Sequence, residues 1–459
     1  MIREKEQMLL NWMPDWVGQV IERLNQAGFE AYVVGGCVRD ALLGREPHDW
    51  DICTPALPQE VISCFPERKV HLTGIQHGTV LLIWEGEGVE ITTFRTEEGY
   101  SDHRHPDQVT FVRNLEEDLA RRDFTVNAMA YHPQRGIIDP FGGRQDLRKK
   151  VIRCVGVPKR RFQEDGLRIL RALRFAAHYG FSIEAETGIA MNQCKELLNQ
   201  IAIERVWEEL KGFLCGVQVK SLMLRYREIL AVCLPEICPT FDFDQRNNNH
   251  CYDAWEHIAC SVANVAPEPV LRLAMLFHDI GKPACFALDD RGVGHCIGHS
   301  IVSARIGDAA LTRLRCDRAT RQAVVELIEQ HERTQFFTRR STCRLLSELG
   351  VVQTKRLLQV MEADVKAQAP ETVVPKMEAL LIGFAKVDAV LAARGCFTKK
   401  SMALKGGDLL SLGLRPGIHL GSVLDQVFRL VLDGELENRK DLLLEKAKEL
   451  IAKETADCT

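Results

Sequence analysis

The amino-acid sequence predicts an α+β head followed by a long, almost wholly helical remainder. Three observations carry that expectation. Short β-rich runs cluster between residues 31 and 94, separated by glycine turns. One of them passes straight through Gly35-Gly36 into a short helical stretch. After Phe162, apolar residues recur at helical spacing almost to the C-terminus.

Taken in order, residues 15–28 place Trp16, Val20, Ile21 and Leu24 at helical spacing and stop at Gly28. Residues 31–34 read as a strand, 38–43 as a helix stopped by Gly44, and 48–53 as a second strand. The alternating runs 79–84 and 89–94 form a hairpin through Glu85-Gly86-Glu87-Gly88. This unit closes near Lys150. We expect four parts: a head at 1–150, an all-α neck at 151–225, a helical body at 226–370 and a helical tail at 371–459. In the tail, Gly406-Gly407, Gly413, Pro416-Gly417 and Gly421 precede helical runs at 423–432 and 440–452, with Asn438 as the cap of the last.

Composition sets limits. The 459 residues are 46% hydrophobic and 27% charged, ordinary for a globular chain, and the length suits about three or four domains. Net charge is −4, so any polyanion must meet local basic patches. The sixteen cysteines lack paired spacing, as reduced thiols do. No apolar run approaches the roughly 20 residues of a membrane span, so no membrane and a cytoplasmic location are expected.

Chemistry concentrates near the N-terminus. Glycines let backbone N–H groups approach phosphates closely, and Gly35-Gly36 runs into Cys37-Val38-Arg39-Asp40. Nine residues on, Asp49-Trp50-Asp51 puts two carboxylates on one face of an extended segment, the hard-oxygen donor set that suits Mg²⁺. Gly-Gly alone is equally what a turn looks like; the Asp-x-Asp pair at this offset is what points to chemistry. Glu90, in Val89-Glu90-Ile91, is the candidate third carboxylate, against the plain alternative of a solvated strand residue. Arg121-Arg122-Asp123-Phe124-Thr125-Val126-Asn127-Ala128 offers forked donors for phosphates and a carboxylate for a ribose hydroxyl.

Glu164-Asp165-Gly166-Leu167-Arg168 opens a predicted helix on which Asp165, Arg168, Arg171 and Arg174 recur every three residues as a polar stripe. Cytosine and adenine each present an amino donor beside a ring-nitrogen acceptor. A fixed aspartate and arginine match that edge, while uracil and guanine turn an oxygen toward the carboxylate. Taken alone, the same residues are an ordinary i,i+3 ion pair.

In this order the motifs resemble the class II tRNA nucleotidyltransferases, the bacterial CCA-adding enzymes, which share their head with bacterial poly(A) polymerases. The resemblance spans residues 31–181 and continues more weakly beyond. It implies a polymerase-β-like nucleotidyltransferase head that adds C, C and A to the tRNA 3′ end from CTP and ATP. It also implies Asp49 and Asp51 as Mg²⁺ ligands. Gly35, Gly36, Arg39 and Asp40 would frame the nucleotide, and Arg122 and Asp123 would contact triphosphate and ribose. Asp165 and Arg168 would pair with the base, with Asn127, Arg171 and Arg174 completing the nucleotide contacts. Gly74-Ile75-Gln76-His77-Gly78-Thr79-Val80 after Thr73, and Arg95-Thr96-Glu97 with the loop to 106, resemble the CCA-adding side, and Arg104 is the expected lever between CTP and ATP. Lys159, Arg160 and Arg161 are the expected contacts to the acceptor arm. A poly(A) polymerase is the alternative reading.

Further on, His257, His278-Asp279 and Asp364 outline another metal site, with His299 and His331 nearby in sequence. Histidines spread over successive helices and closed by a distant aspartate resemble the HD phosphohydrolase fold, so the body is expected to be HD-type. Such ligands suit Mn²⁺, Ni²⁺, Co²⁺ or Zn²⁺ better than Mg²⁺ and would add a phosphohydrolase activity. A chain acting only through this unit as a phosphodiesterase or phosphatase is a further alternative.

Overall fold

The computed structural model describes residues 12–72, 74–99, 107–333, 338–393 and 396–456. Thr73, Arg104 and the rest of 100–106 lie outside them. The chain forms two compact units, Met1–Pro235 and Glu236–Thr459. The first takes in the expected head and neck together with 226–235 of the expected body, the second the rest of that body and the tail.

In the first unit, helix α1 (Asp15–Gln26) buries Val17, Val20, Ile21 and Leu24. The strands of the head follow: β1 (Tyr32–Val34), β2 (Ile52–Thr54), β3 (Lys69–His71), β4 (Thr79–Trp84), β5 (Glu87–Thr93), β6 (Arg95–Glu98), β7 (Gln108–Phe111), β8 (Ala130–His132) and β9 (Gly136–Ile138). Seven make one sheet in the order β3-β4-β5-β2-β1-β8-β9, while β6 and β7 pair separately. Within the large sheet only β2 and β5 run parallel. Tyr32, Val34, Cys53, Phe94, Leu119 and Ala130 pack into one buried cluster beneath it.

Several expectations need adjustment. The hairpin turn has two residues rather than four. Trp84 pairs with Glu87, and Glu85 (φ 54°) and Gly86 (φ 95°) both take the left-handed conformation that matches strand twist. The second strand begins at Ile52, so Asp49 and Asp51 lie just ahead of it; Pro47 has no N–H to donate, and aspartates disfavour strand interiors. Helix α2 (Gly36–Leu42) starts two residues early, because Gly35 turns the chain at φ 82°.

The neck supplies helices α3 (Pro158–Glu164), α4 (Arg168–Tyr179) and α5 (Ile203–Leu214). It is not wholly helical, since Val151–Ile152 pairs in parallel with Ser182–Ile183.

In the second unit, α6 (Ala254–Asn264), α7 (Pro269–Phe277), α8 (His299–Arg313), α9 (Arg318–Gln330), α10 (Arg339–Lys366) and α11 (Pro370–Ala392) carry the fold. Gly350, at φ 74°, breaks α10. A short hairpin, Ala287–Leu288 with Gly294–His295, interrupts the helices. The C-terminal core gathers Leu346, Leu358, Val387, Val423, Val427 and Leu443. Asn438 does not cap the last helix, Lys440–Ala456; its side chain accepts from the Ala403 N–H (2.7 Å) and donates to the Ser401 carbonyl (3.1 Å). Among the described residues no helix is long and apolar enough to cross a membrane.

Candidate active site and a second ligand cluster

Strand register assembles the acidic site. Asp51 is laddered through its backbone, its carbonyl accepting from the Val34 N–H at 3.0 Å. Ile52 lies beside Ile91 across the parallel β2–β5 pair, so one residue earlier Asp51 stands opposite Glu90. Ile52 and Ile91 point inward; Asp49, Asp51 and Glu90 are exposed on the other face. Protein atoms still crowd the Asp51 carboxyl. That desolvation, then the negative charges of Glu90 and Asp49, raises its pKa above 3.8, with Arg122 opposing. Three mutually repelling carboxylates favour a divalent cation between them.

Arg122 is the adjacent cation. A Cβ on Gly35 would come within 3.0 Å of its Nη1, so glycine is what lets the guanidinium lie against the start of α2. Among the described residues the Arg122 Nε is buried without a hydrogen-bond partner, and its Nη2 lies 3.6 Å from the Asp118 carboxylate. A buried donor of that kind is expensive unless an acceptor arrives.

Most of the other expected nucleotide contacts bond to one another. Arg39 donates to Asp40 from Nε (3.0 Å) and Nη2 (2.9 Å), and from Nη1 to the Asn127 side chain. Asn127 donates to Asp123 (3.0 Å), which also accepts from the Phe124 N–H (2.8 Å) and from Arg171 Nε (3.0 Å) and Nη2 (2.8 Å). Burial pushes the Asp123 carboxyl up, but Arg171, Asn127 and Arg168 prevail and hold it at about 2. Glu209 on α5 closes the network by accepting from Arg174 and lying 3.6 Å from Arg171. Tyr179 donates to Asp40 (2.8 Å) with its ring 4.8 Å under the Arg39 guanidinium.

The stripe expected on one helix is divided. Asp165 precedes α4 in extended conformation, and its Oδ1 accepts from the Leu167 N–H at 2.9 Å, an Asx turn that starts the helix late. Arg168 does not face it. Its guanidinium donates to Glu164 (2.7 Å), the Arg161 carbonyl (3.1 Å) and the Arg121 carbonyl (3.2 Å). Asp165 pairs instead with Arg205. Arg161, expected to meet RNA, is buried against Glu164 and the Ala120 carbonyl; Lys159 and Arg160 are exposed.

The second unit holds a different cluster, built at helix ends. His257 comes from α6, His278 and Asp279 follow α7, His299 opens α8, His331 follows α9, and Asp364 lies near the end of α10. Each histidine donates its Nδ1–H to a backbone carbonyl: His257 to Ala367 (3.1 Å), His278 to Met275 (2.7 Å), His299 to Cys296 (2.8 Å) and His331 to Ile328 (2.6 Å). Those bonds turn every Nε2 inward, with His257 Nε2 3.0 Å from Asp364 and His299 Nε2 3.0 Å from Asp279.

Asp279 joins two groups whose ligand atoms all lie within 4.8 Å of one another. One is His257, His278, Asp279 and Asp364; the other is Asp279, His299 and His331. Nε2 atoms face each other at 3.3 Å in both, His257 to His278 and His299 to His331. Ring nitrogens this close inside a protein share a positive centre, a proton or a bound cation. Burial, then the neighbouring His278 charge, lowers the His331 pKa to about 4. At His278 and His299, by contrast, burial is outweighed by neighbouring carboxylates, Asp279 foremost, and the pKa is raised, so a cation binding there displaces protons. Lys282 donates to the Gln245 side chain (2.8 Å) and forms an ion pair with Asp279 Oδ2 at 2.6 Å, and the cavity of about 250 Å³ above them is lined by Asn247, His250, Glu332 and Gln368. Among the described residues, the head carboxylates form no group this tight.

Comparison with known proteins settles the family. Family models match residues 31–153 (Poly A polymerase head domain), 180–241 (Probable RNA and SrmB- binding site of polymerase A) and 300–447 (tRNA nucleotidyltransferase domain 2 putative). Over 445 residues the chain is 34% identical to the CCA-adding enzyme of Pediococcus pentosaceus, covering 94% of this chain and 96% of that protein. The chain belongs to the CCA-adding enzyme family. Identity reaches 52% over 220 residues with the CCA-adding enzyme of Lactobacillus delbrueckii subsp. bulgaricus, spanning 48% of this chain and about half (54%) of that relative. The Bacillus stearothermophilus CCA-adding enzyme in complex with CTP superposes with a TM-score of 0.70 at 29% identity, covering 96% of this chain and 98% of that one.

Within this CCA-adding family member, the expected residues thus separate by what they have left to offer. Asp49, Asp51, Glu90 and Arg122 keep unsatisfied charge or donors; Arg39, Asp40, Asp123, Asn127, Arg171 and Arg174 are bonded to protein. Sequence reasoning missed Tyr179, Arg205 and Glu209. Arg205 and Glu209 are an i,i+4 charged pair on an amphipathic helix, a pattern too common to single out.

Proposed function

We propose that the head adds C, C and A to the 3′ end of tRNA from CTP and ATP, with no nucleic-acid template. The tRNA 3′-oxygen forms the new bond to the nucleotide α-phosphorus, the α–β bridging bond breaks, and pyrophosphate leaves while the hydroxyl proton passes to solvent. The observation supporting this most is the register that sets Asp51 opposite Glu90, beside the unpartnered Nε of Arg122. Asp49, Asp51 and Glu90 would hold Mg²⁺, which when bound supplies Lewis-acid polarisation of phosphoryl oxygens. Arg122 would donate to the triphosphate, and Gly35 would keep the backbone close to it. The network from Asp40 to Glu209 keeps these elements rigid. Asp165 would accept from the amino group of cytosine or adenine.

The test is a tRNA transcript lacking its last three nucleotides, given CTP and ATP separately and together. Addition of C, C and A in that order supports the reading. Long A-runs from ATP alone on unstructured RNA would reassign it to poly(A) synthesis, and addition of neither nucleotide would reject both.

A second reading rests on a separate observation, the four imidazoles turned inward by backbone carbonyls around Asp279. These residues would hold two divalent cations of the Mn²⁺, Ni²⁺, Co²⁺ or Zn²⁺ type and confer phosphohydrolase activity. Metal analysis of the purified chain, with phosphate release from p-nitrophenyl phosphate as the assay, tests it. A chain that carries no transition metal and releases no phosphate after loading would refute it.

A further inference from the structure

Helix α5 contributes two residues to the face that carries Asp165. Arg205 and Glu209 stand one turn apart on it. Arg205 Nη2 donates to Asp165 Oδ2 at 2.9 Å, and Glu209 holds Arg174 and approaches Arg171. Asp165 is thereby fixed at both oxygens, Oδ1 by the Leu167 N–H (2.9 Å) and Oδ2 by Arg205. A carboxylate has about four acceptor positions, so one on each oxygen stays open. Its side chain is only 15% exposed, so its rotation is set by these two bonds and not by water.

The residue that sequence spacing pairs with Asp165 is committed elsewhere: Arg168 is bound to Glu164 and to two backbone carbonyls. The cation beside Asp165 is Arg205, and its other terminal nitrogen, Nη1, is buried with no partner among the described residues. A single N–H bond therefore defines where Arg205 sits, and the aspartate depends on it.

We propose that Arg205 is a specificity-determining positioning residue: by orienting the Asp165 carboxylate, it sets the discrimination of cytosine from uracil and of adenine from guanine. This rests on the reading that Asp165 meets the incoming base. Acceptance of an amino group needs the open lone pairs aimed at it. A carboxylate free to rotate turns with equal ease toward any base, and the penalty against the oxygen of uracil or guanine falls.

The experiment measures kcat/KM for CTP, UTP, ATP and GTP, each alone, on tRNA transcripts ending before the position to be filled. It compares the full chain with Arg205→Ala, Arg205→Gln and Arg205→Lys, with thermal midpoints recorded alongside. Arg205→Ala should lower the CTP-to-UTP and ATP-to-GTP ratios about tenfold or more, and Arg205→Lys, which keeps charge without the fork, should recover part of the loss. Ratios within about twofold of the parent, even with slower addition of every nucleotide, would overturn the proposal, because a purely structural role slows all four alike. Should Arg205→Ala fail to fold, the Gln and Lys variants decide by the same ratios. If the unaltered chain adds neither C nor A, the underlying reading of Asp165 fails in the control reaction itself.

Discussion

The acidic site of the head and the His/Asp cluster of the second unit are both suited to cations, yet they are built on opposite principles. In the head, Asp49, Asp51 and Glu90 are exposed, hard-oxygen donors set side by side by strand register, and crowding raises Asp51 above its ordinary range. In the second unit, six donors from five helices are mostly buried, each imidazole already oriented by a carbonyl, and Asp279 and Asp364 lie well below the ordinary carboxylate range. For Asp279, burial works against ionisation and the His278 and Lys282 charges overcome it. An open site of repelling carboxylates suits an ion that arrives with a substrate and leaves with product. A closed, pre-oriented one suits a resident ion of softer character.

The largest expected effect breaks the first half of that contrast. Asp51→Ala should reduce nucleotide addition by about a thousandfold or more, while the transition-metal content of the second unit, read by mass spectrometry, stays unchanged. The converse comes next. Asp279→Ala removes the carboxylate shared by both histidine groups, so the bound transition metal should vanish from the same analysis. Addition of C and A should stay within about twofold in single-turnover assays.

A smaller effect concerns the frame beside the acidic site. Asp123 is held at about 2 against an ordinary 3.8, so it contributes stability that is present above pH 3.8 and lost as pH falls through about 2. That shift corresponds to roughly 2 kcal/mol, and Asp123→Asn should forfeit it at neutral pH in urea unfolding while flattening the acid limb of the stability curve. Asp51 carries the opposite sign: with its folded pKa raised, metal-free stability should fall as pH rises through that value, and added Mg²⁺ should reverse the trend in thermal melts. The smallest expected change is Gly35→Ala. At φ 82°, with Arg122 Nη1 3.0 Å from the new methyl, it should cost about 1 kcal/mol in the same unfolding assay and raise KM for CTP.

Legibility differed between the two sites for physical reasons. Alternation and glycine turns made the head strands readable, because a strand buried on one face must alternate. The Asp-x-Asp spacing survived even though the strand starts only at Ile52, since an extended chain keeps i and i+2 on one side whether or not it is laddered. The helical stripe did not survive: an Asx turn at Asp165 delays α4, and three residues of phase are enough to send Arg168 elsewhere.

By itself, then, the sequence determined which residue types stand at which local spacing: glycines at a strand end, paired aspartates, histidines scattered over successive helices. Those are short-range properties written in steps of two and three or four residues. The tertiary structure alone decided which donors were left over. Register set Glu90 opposite Asp51, Arg205 rather than Arg168 reached Asp165, and Asp279 became common to two ligand groups. Hydrogen-bond partners are chosen by proximity in space, and residues 39 and 40 positions apart, such as Asp51 with Glu90 or Asp165 with Arg205, carry no periodic signal of their meeting.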